Sequence, residues 1–162
     1  MALHDLLAAI EASPIAQGIA GSAVLFPAFE VVHVMAIVLV VGTIATLDLR
    51  LLGVARRDQG VIELSRETLV WTWGCFALAL ITGALMFISA ATRYAGLWAF
   101  QGKVVLLVLA GVNMMVFHST AFRTVTQWDR QLPPPPAARL AGALSLTLWT
   151  GVIVCGRWIG FL

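Results

Sequence analysis

The chain has 162 residues, 60% of them apolar and 11% charged, with a formal net charge of +2 and a mean hydropathy of +0.95. Soluble domains carry roughly a quarter charged residues, so this composition excludes an ordinary water-soluble domain and leaves little room for a separate catalytic or nucleotide-binding unit. The small positive balance gives no sign of nucleic-acid binding, because the basic residues fall where membrane topology places them.

In chain order, residues 2–12 come first. Leu3, Leu6, Leu7 and Ile10 recur at three- and four-residue intervals with His4, Asp5 and Glu11 between them, which predicts a short interfacial helix. No basic cluster precedes an apolar run and no small-residue cleavage site follows, so a cleaved signal peptide is not expected and Met1 is expected to be retained. The first span is expected over 27–48, with Pro27 in its first turn, where a missing N–H costs nothing. Further spans are expected over 67–91, 102–122 and 139–160, each long enough to cross a bilayer. The run Pro133 to Pro136 cannot continue a helix and predicts a stiff extended connector. The expected fold class is therefore all-α: one membrane domain over residues 1–162, a four-helix transmembrane bundle with a short N-terminal interfacial helix.

Orientation follows from the cations. Arg50, Arg56, Arg57 and Arg66 flank the first connection and Arg123, Arg130 and Arg139 the third, against Arg93 and Lys103 around the second. The positive-inside rule then puts both termini on the periplasmic side of a bacterial inner membrane. Trp98 and Phe100 near one interface and Trp128 near the other fit aromatic anchoring. Gly42, Gly74, Gly83, Gly111, Gly142, Gly151 and Gly156 permit close helix contact, or leave space for a flat ligand.

Ionisable groups inside a span are costly, so each is a functional lead. At 1.5 Å per residue, Glu30 and His33 lie about 5 and 9 Å inward from the outer end of the first helix, three residues apart on one face. Met86 is about 6 Å from the outer end of the second span, and Cys155 and Arg157 about 8 and 5 Å from that of the fourth. An imidazole at this depth suits haem iron or copper, thioether and thiolate ligands suit soft metals, and Arg157 can neutralise Glu30 or hold a propionate. A purely structural alternative is a Glu30–Arg157 ion pair with His33 hydrogen-bonded in the core. His118 lies about 15 Å from His33 in depth, too far for one haem to bridge the two; it is a structural or propionate-contacting histidine as readily as a ligand. Asp48 and Arg50 close the first span and read as anchors to other segments, while Asn113 can join helices by hydrogen bonding. Cys75 and Cys155 fall at different depths, which argues against a disulfide. No CxxCH, HExxH, GxSxG, Walker or GxGxxG pattern occurs.

Four segments resemble a family of uncharacterised bacterial four-helix membrane proteins: LFPAFEVVHVMAIVLVVGTIATLDLRLLG, WTWGCFALALITGALMFIS, FQGKVVLLVLAGVNMMVFH and ALSLTLWTGVIVCGRWIGF. The elements that carry the likeness are Glu30 and His33 in FExxH, Asp48 and Arg50 in DLRLLG, His118, and Arg157 in GRWIG. A more distant resemblance is to HemJ-type protoporphyrinogen oxidases and copper-resistance D membrane proteins, through His33 and Arg50 and, for the HemJ type, Lys103 followed by His118. That resemblance implies haem b near His33, with Lys103 and His118 in the cofactor's surroundings, and leaves a membrane oxidoreductase activity open.

Together these readings predict a small integral-membrane haem protein in electron transfer, in which His33, Glu30, Arg157, His118 and Lys103 surround the cofactor. The alternatives are a copper-handling or transport protein using His33, Met86 and Cys155, and a non-catalytic subunit of a larger membrane complex. The partners expected are the lipid bilayer, a redox partner or companion subunits, and further copies of the chain in an oligomer.

Overall fold

A computed structural model of the chain describes residues 2–130 and 132–162. The order is α1 (Ala2–Glu11), α2 (Pro14–Ala20), α3 (Leu25–Leu51), α4 (Val61–Ile88), α5 (Ala91–Gly96), α6 (Trp98–Ser119), a 3-10 segment (Ala121–Gln127) and α7 (Pro136–Ile159). The four long helices are each apolar and long enough to cross a membrane. They are apolar around most of their circumference, with Val31, Met35 and Val38 of α3, Val70 and Leu80 of α4, and Val105 and Val108 of α6 exposed. Helices of this kind require an apolar surrounding, so the chain is a multi-pass membrane protein.

Hairpins α3–α4 and α6–α7 are joined along a seam between α3 and α7. Both termini and α1, α2 and α5 lie at one end of the bundle, the terminal end; the α3–α4 connection, the 3-10 segment and the proline run lie at the other, the loop end. The seam is tight at Gly142, where a Cβ would stand 3.0 Å from the Asp48 carbonyl oxygen. Thr72 donates to Thr43 at 2.8 Å between α4 and α3, and Asn113 joins α6 to α7 by donating to the Ala141 carbonyl at 2.9 Å, the role expected for it.

The loop end is the best-packed part of the molecule. Leu51, Val61, Phe117, Ala121, Val125, Trp128 and Ala138 form one buried cluster. Trp128 is only 5% exposed, so it packs in this cluster instead of anchoring at the interface. The α3 helix stops in a Schellman turn: Gly53, at φ 71°, donates to the Arg50 carbonyl, and the Val54 N–H to that of Leu49. Arg50, 2% exposed, donates from Nε to the Gln59 carbonyl and from Nη2 to the Asp129 carbonyl, both at 2.7 Å. Asp129 in turn accepts the Ile62 N–H at 2.9 Å, capping α4 from a remote segment. The approach depends on Gly60, whose Cβ would meet Asp129 Oδ2 at 2.7 Å. The α7 helix opens with Pro136 at its first position after an extended Pro135, as proline's fixed φ favours.

At the terminal end, Ser13 caps α2 by accepting the Ala16 N–H. Glu11 accepts from the Thr92 N–H at 3.1 Å and the Thr92 hydroxyl at 2.6 Å, clasping α1 onto α5. These bonds hold the Glu11 carboxyl below its ordinary pKa, so the clasp is complete at neutral pH and is lost as pH falls through that lowered value. Thr92→Val should therefore raise amide hydrogen exchange across α1 several-fold at pH 7; unchanged exchange would show that the clasp does not hold α1 down.

Candidate functional site

The His33 side chain leaves α3 toward α4 and is half-buried between them. Its Nδ1 lies 2.8 Å from the Ala79 carbonyl oxygen and 3.1 Å from Thr82 Oγ1. A carbonyl oxygen only accepts, so Nδ1 carries the proton and the neutral ring presents a lone pair at Nε2. Thr82 spends its own hydroxyl proton on the Leu78 carbonyl at 2.8 Å, which leaves its oxygen free to share the Nδ1 proton. Gly83 makes the arrangement possible: a Cβ there would stand 2.9 Å from His33 Cε1, closer than a carbon approaches an aromatic ring.

Lys103, five residues into α6, reaches the same region. Its Nζ is 3.5 Å from where a Cβ of Gly156 on α7 would stand, and its charge is within electrostatic reach of both His33 and Cys155. Cys155 Sγ lies 3.5 Å from the Cβ position of Gly102. Arg130–Glu63 is the ion pair formed among the described residues, so no carboxylate of those residues pairs with Lys103. Met86 is half-buried one turn beyond Gly83 on α4.

Glu30 and Arg157 are placed differently from the expectation that they meet His33. Glu30 is exposed, within electrostatic reach of Tyr94 on α5. Burial pushes the Tyr94 phenol up; Arg93 opposes the shift and Glu30 adds to it, so the phenol stays protonated at neutral pH. Arg157 is also exposed and lies over the Phe161 ring at 4.6 Å from its centroid, a cation–π contact. The two form no ion pair. Both stand within one or two helical turns of a bilayer surface, where long side chains turn their charge to the water layer, so neither needs the other. The cation that accompanies His33 inside the bundle is Lys103.

His118 is at the opposite end, in the last turn of α6, exposed, with Nδ1 2.9 Å from the Met114 carbonyl oxygen and its ring against Phe117 and Phe122. It shares no site with His33. Cys75 and Cys155 are both free thiols. Among the described residues no three His, Cys, Asp or Glu side chains gather closely enough to hold a metal ion by themselves.

The His33 face, the DLRLLG turn and the α7 end all fall within residues 15–162, which match one family model. The chain belongs to DUF6644, a family of unknown function. The DUF6644 match runs from the start of α2 to the C-terminus and takes in all four long helices. No curated protein and no solved structure matches the chain, so the expected likeness to HemJ-type and copper-resistance D proteins is not shown.

Reading residue types alone singled out His33 but treated Lys103 as a topology charge. The expected span opens at residue 102 and so leaves Lys103 at an interface, whereas α6 starts at Trp98 and carries Lys103 more than a turn inward. Gly83 was legible as a small residue and not as the seat of the imidazole.

Proposed function

We propose that this DUF6644 protein is a small integral-membrane haem-binding protein that passes electrons between the bilayer and partners at its terminal end, and that His33 would supply a nitrogen ligand to the haem iron. The observation that carries this reading is the imidazole anchored through Nδ1 to the Ala79 carbonyl, with Nε2 left as the donor atom. Metal-ligating histidines commonly give their other ring N–H to a carbonyl or carboxylate, which fixes ring orientation and raises ligand basicity. Lys103, without a carboxylate partner among the described residues and within electrostatic reach of His33, suits a propionate. A bound haem supplies one-electron chemistry whose potential depends on axial ligation and burial. The chain's own part is to hold the ring plane through Ala79 and Thr82, to balance negative charge with Lys103, and to exclude water with apolar helix walls.

The positive-inside rule extends the reading to a direction across the membrane. Arg50, Arg56, Arg57, Arg66, Arg123, Arg130 and Arg139 collect at the loop end, which supports a cytoplasmic loop end and a His33 layer just beneath the periplasmic surface of a bacterial inner membrane. Copper is the weaker alternative. His33 and Cys155 offer suitable donors, but the Lys103 ammonium lies within reach of both and would repel a metal cation.

Haemin titrated into the detergent-purified protein should give a shifted Soret band saturating at one equivalent. His33→Ala should lose that band, and Lys103→Met should weaken binding roughly tenfold, the equivalent of one charge-assisted hydrogen bond. Indistinguishable titrations of the protein and its His33→Ala variant would overturn the proposal.

A further inference from the structure

A second site lies in the loop half of the bundle, away from His33. All four long helices enclose a cavity of about 170 Å³ whose walls include Thr43, Thr72, Phe76, Leu107, Gly111 and Trp149. Asp48 lines it and is 5% exposed. Ser145 faces the Asp48 carboxyl, yet Asp48 Oδ2 is buried with no hydrogen-bond partner among the described residues. The nearest cation in sequence, Arg50, is turned away and held by the Gln59 and Asp129 carbonyls. His118, at the cavity wall, keeps Nδ1 on the Met114 carbonyl. A carboxyl oxygen left unsatisfied in an apolar surrounding is costly, and a ligand that donates to it removes that cost.

The cavity also has an entrance. The two hairpins are joined through α3 and α7, while α4 and α6 are not packed together along their length. Trp73 on α4 and Met114 on α6 line the cavity and are themselves 52% and 37% exposed. The chamber therefore opens sideways between α4 and α6, at the level of the hydrocarbon. Its size resembles that of a cavity of about 150 Å³ known to take benzene. The aromatic walls suit both a ring and a positive charge, since a cation over an aromatic face is attracted by its quadrupole.

We propose that this cavity binds a small membrane-partitioning organic ammonium ion, its N–H group on Asp48 Oδ2 and its apolar or aromatic body against Trp73, Phe76 and Trp149. A lipid acyl chain would fill the same space but leave the carboxyl oxygen unsatisfied, so charge complementarity selects the ammonium.

The test compares 2-phenylethylammonium with its uncharged isostere n-propylbenzene, titrated against the full-length protein in phosphatidylcholine nanodiscs and read by tryptophan fluorescence. The ammonium should bind at least tenfold more tightly than the isostere. Asp48→Asn should abolish that preference while leaving the propylbenzene affinity within about threefold. Should Asp48→Asn not fold, Gly111→Leu supplies the second arm: a Cβ at Gly111 meets nothing within 4 Å, so the leucine can occupy the cavity and should remove binding of both probes. Equal affinities for the two probes would identify an acyl-chain pocket and overturn the proposal. So would an ammonium preference that survives Asp48→Asn or Gly111→Leu. His33→Ala should leave the ammonium affinity unchanged, which separates this site from the haem reading.

Discussion

Arg50→Ala should destabilise the protein by about 3 to 5 kcal/mol, because it removes two charge-assisted hydrogen bonds and strands two part-buried carbonyl oxygens. The guanidinium joins three segments that are distant in sequence: the end of α3, the turn before α4, through Gln59, and the stretch after the 3-10 segment, through Asp129. Asp129 also caps α4, so losing its carbonyl tether frees a helix start as well. Arg50→Lys should recover only part of the loss, because a single ammonium lacks the planar fork that reaches both carbonyls. Unfolding in detergent, followed by circular dichroism over increasing denaturant, measures the difference. A change within about 0.5 kcal/mol, the range of ordinary surface substitutions, would remove Arg50 from the centre of this end of the bundle.

Gly83→Ala should have the opposite profile, with little effect on folding and a large one on the site. The added Cβ would stand 2.9 Å from His33 Cε1, so the ring must swing off the Ala79 carbonyl and Thr82. Losing such a supporting contact typically costs 10–100-fold in metal affinity, roughly 1.4 to 2.7 kcal/mol, and haem affinity should fall by a factor in that range. Gly74→Ala is the matched control, because a Cβ there meets nothing within 4 Å. Haem titrations of the two variants separate a positional effect on His33 from a general effect of replacing glycine in α4. Equal affinities for Gly83→Ala and Gly74→Ala would mean that the imidazole's seat on α4 does not matter for binding.

The two substitutions also mark how much the sequence discloses. Span number, helix class and the anchoring roles of Arg50 and Asn113 were legible, because apolar length and the cost of a buried charge act locally along the chain. The short α2 and α5 and the 3-10 segment were not anticipated, since they are held by the bundle they cover: Glu11 of α1 on Thr92 of α5, and Trp128 in the loop-end cluster. Depth arithmetic set Glu30, His33 and Arg157 in one layer, yet depth fixes only height on each helix. Rotation about the axis decides which side chain enters the bundle. It turns His33 inward onto Gly83 and leaves Glu30 and Arg157 exposed. Lys103 was identified only through a resemblance, and the unsatisfied oxygen of Asp48 needed the packing of all four long helices to emerge.

Haem binding at His33 is tested most directly by the absorption spectrum of the protein purified from cells with ample haem supply. A Soret band, with the α and β bands of haem b on reduction, is expected in the unaltered protein and absent from a folded His33→Ala variant. A colourless protein from such cells, or a Soret band of equal strength in the His33→Ala variant, would contradict haem binding at His33.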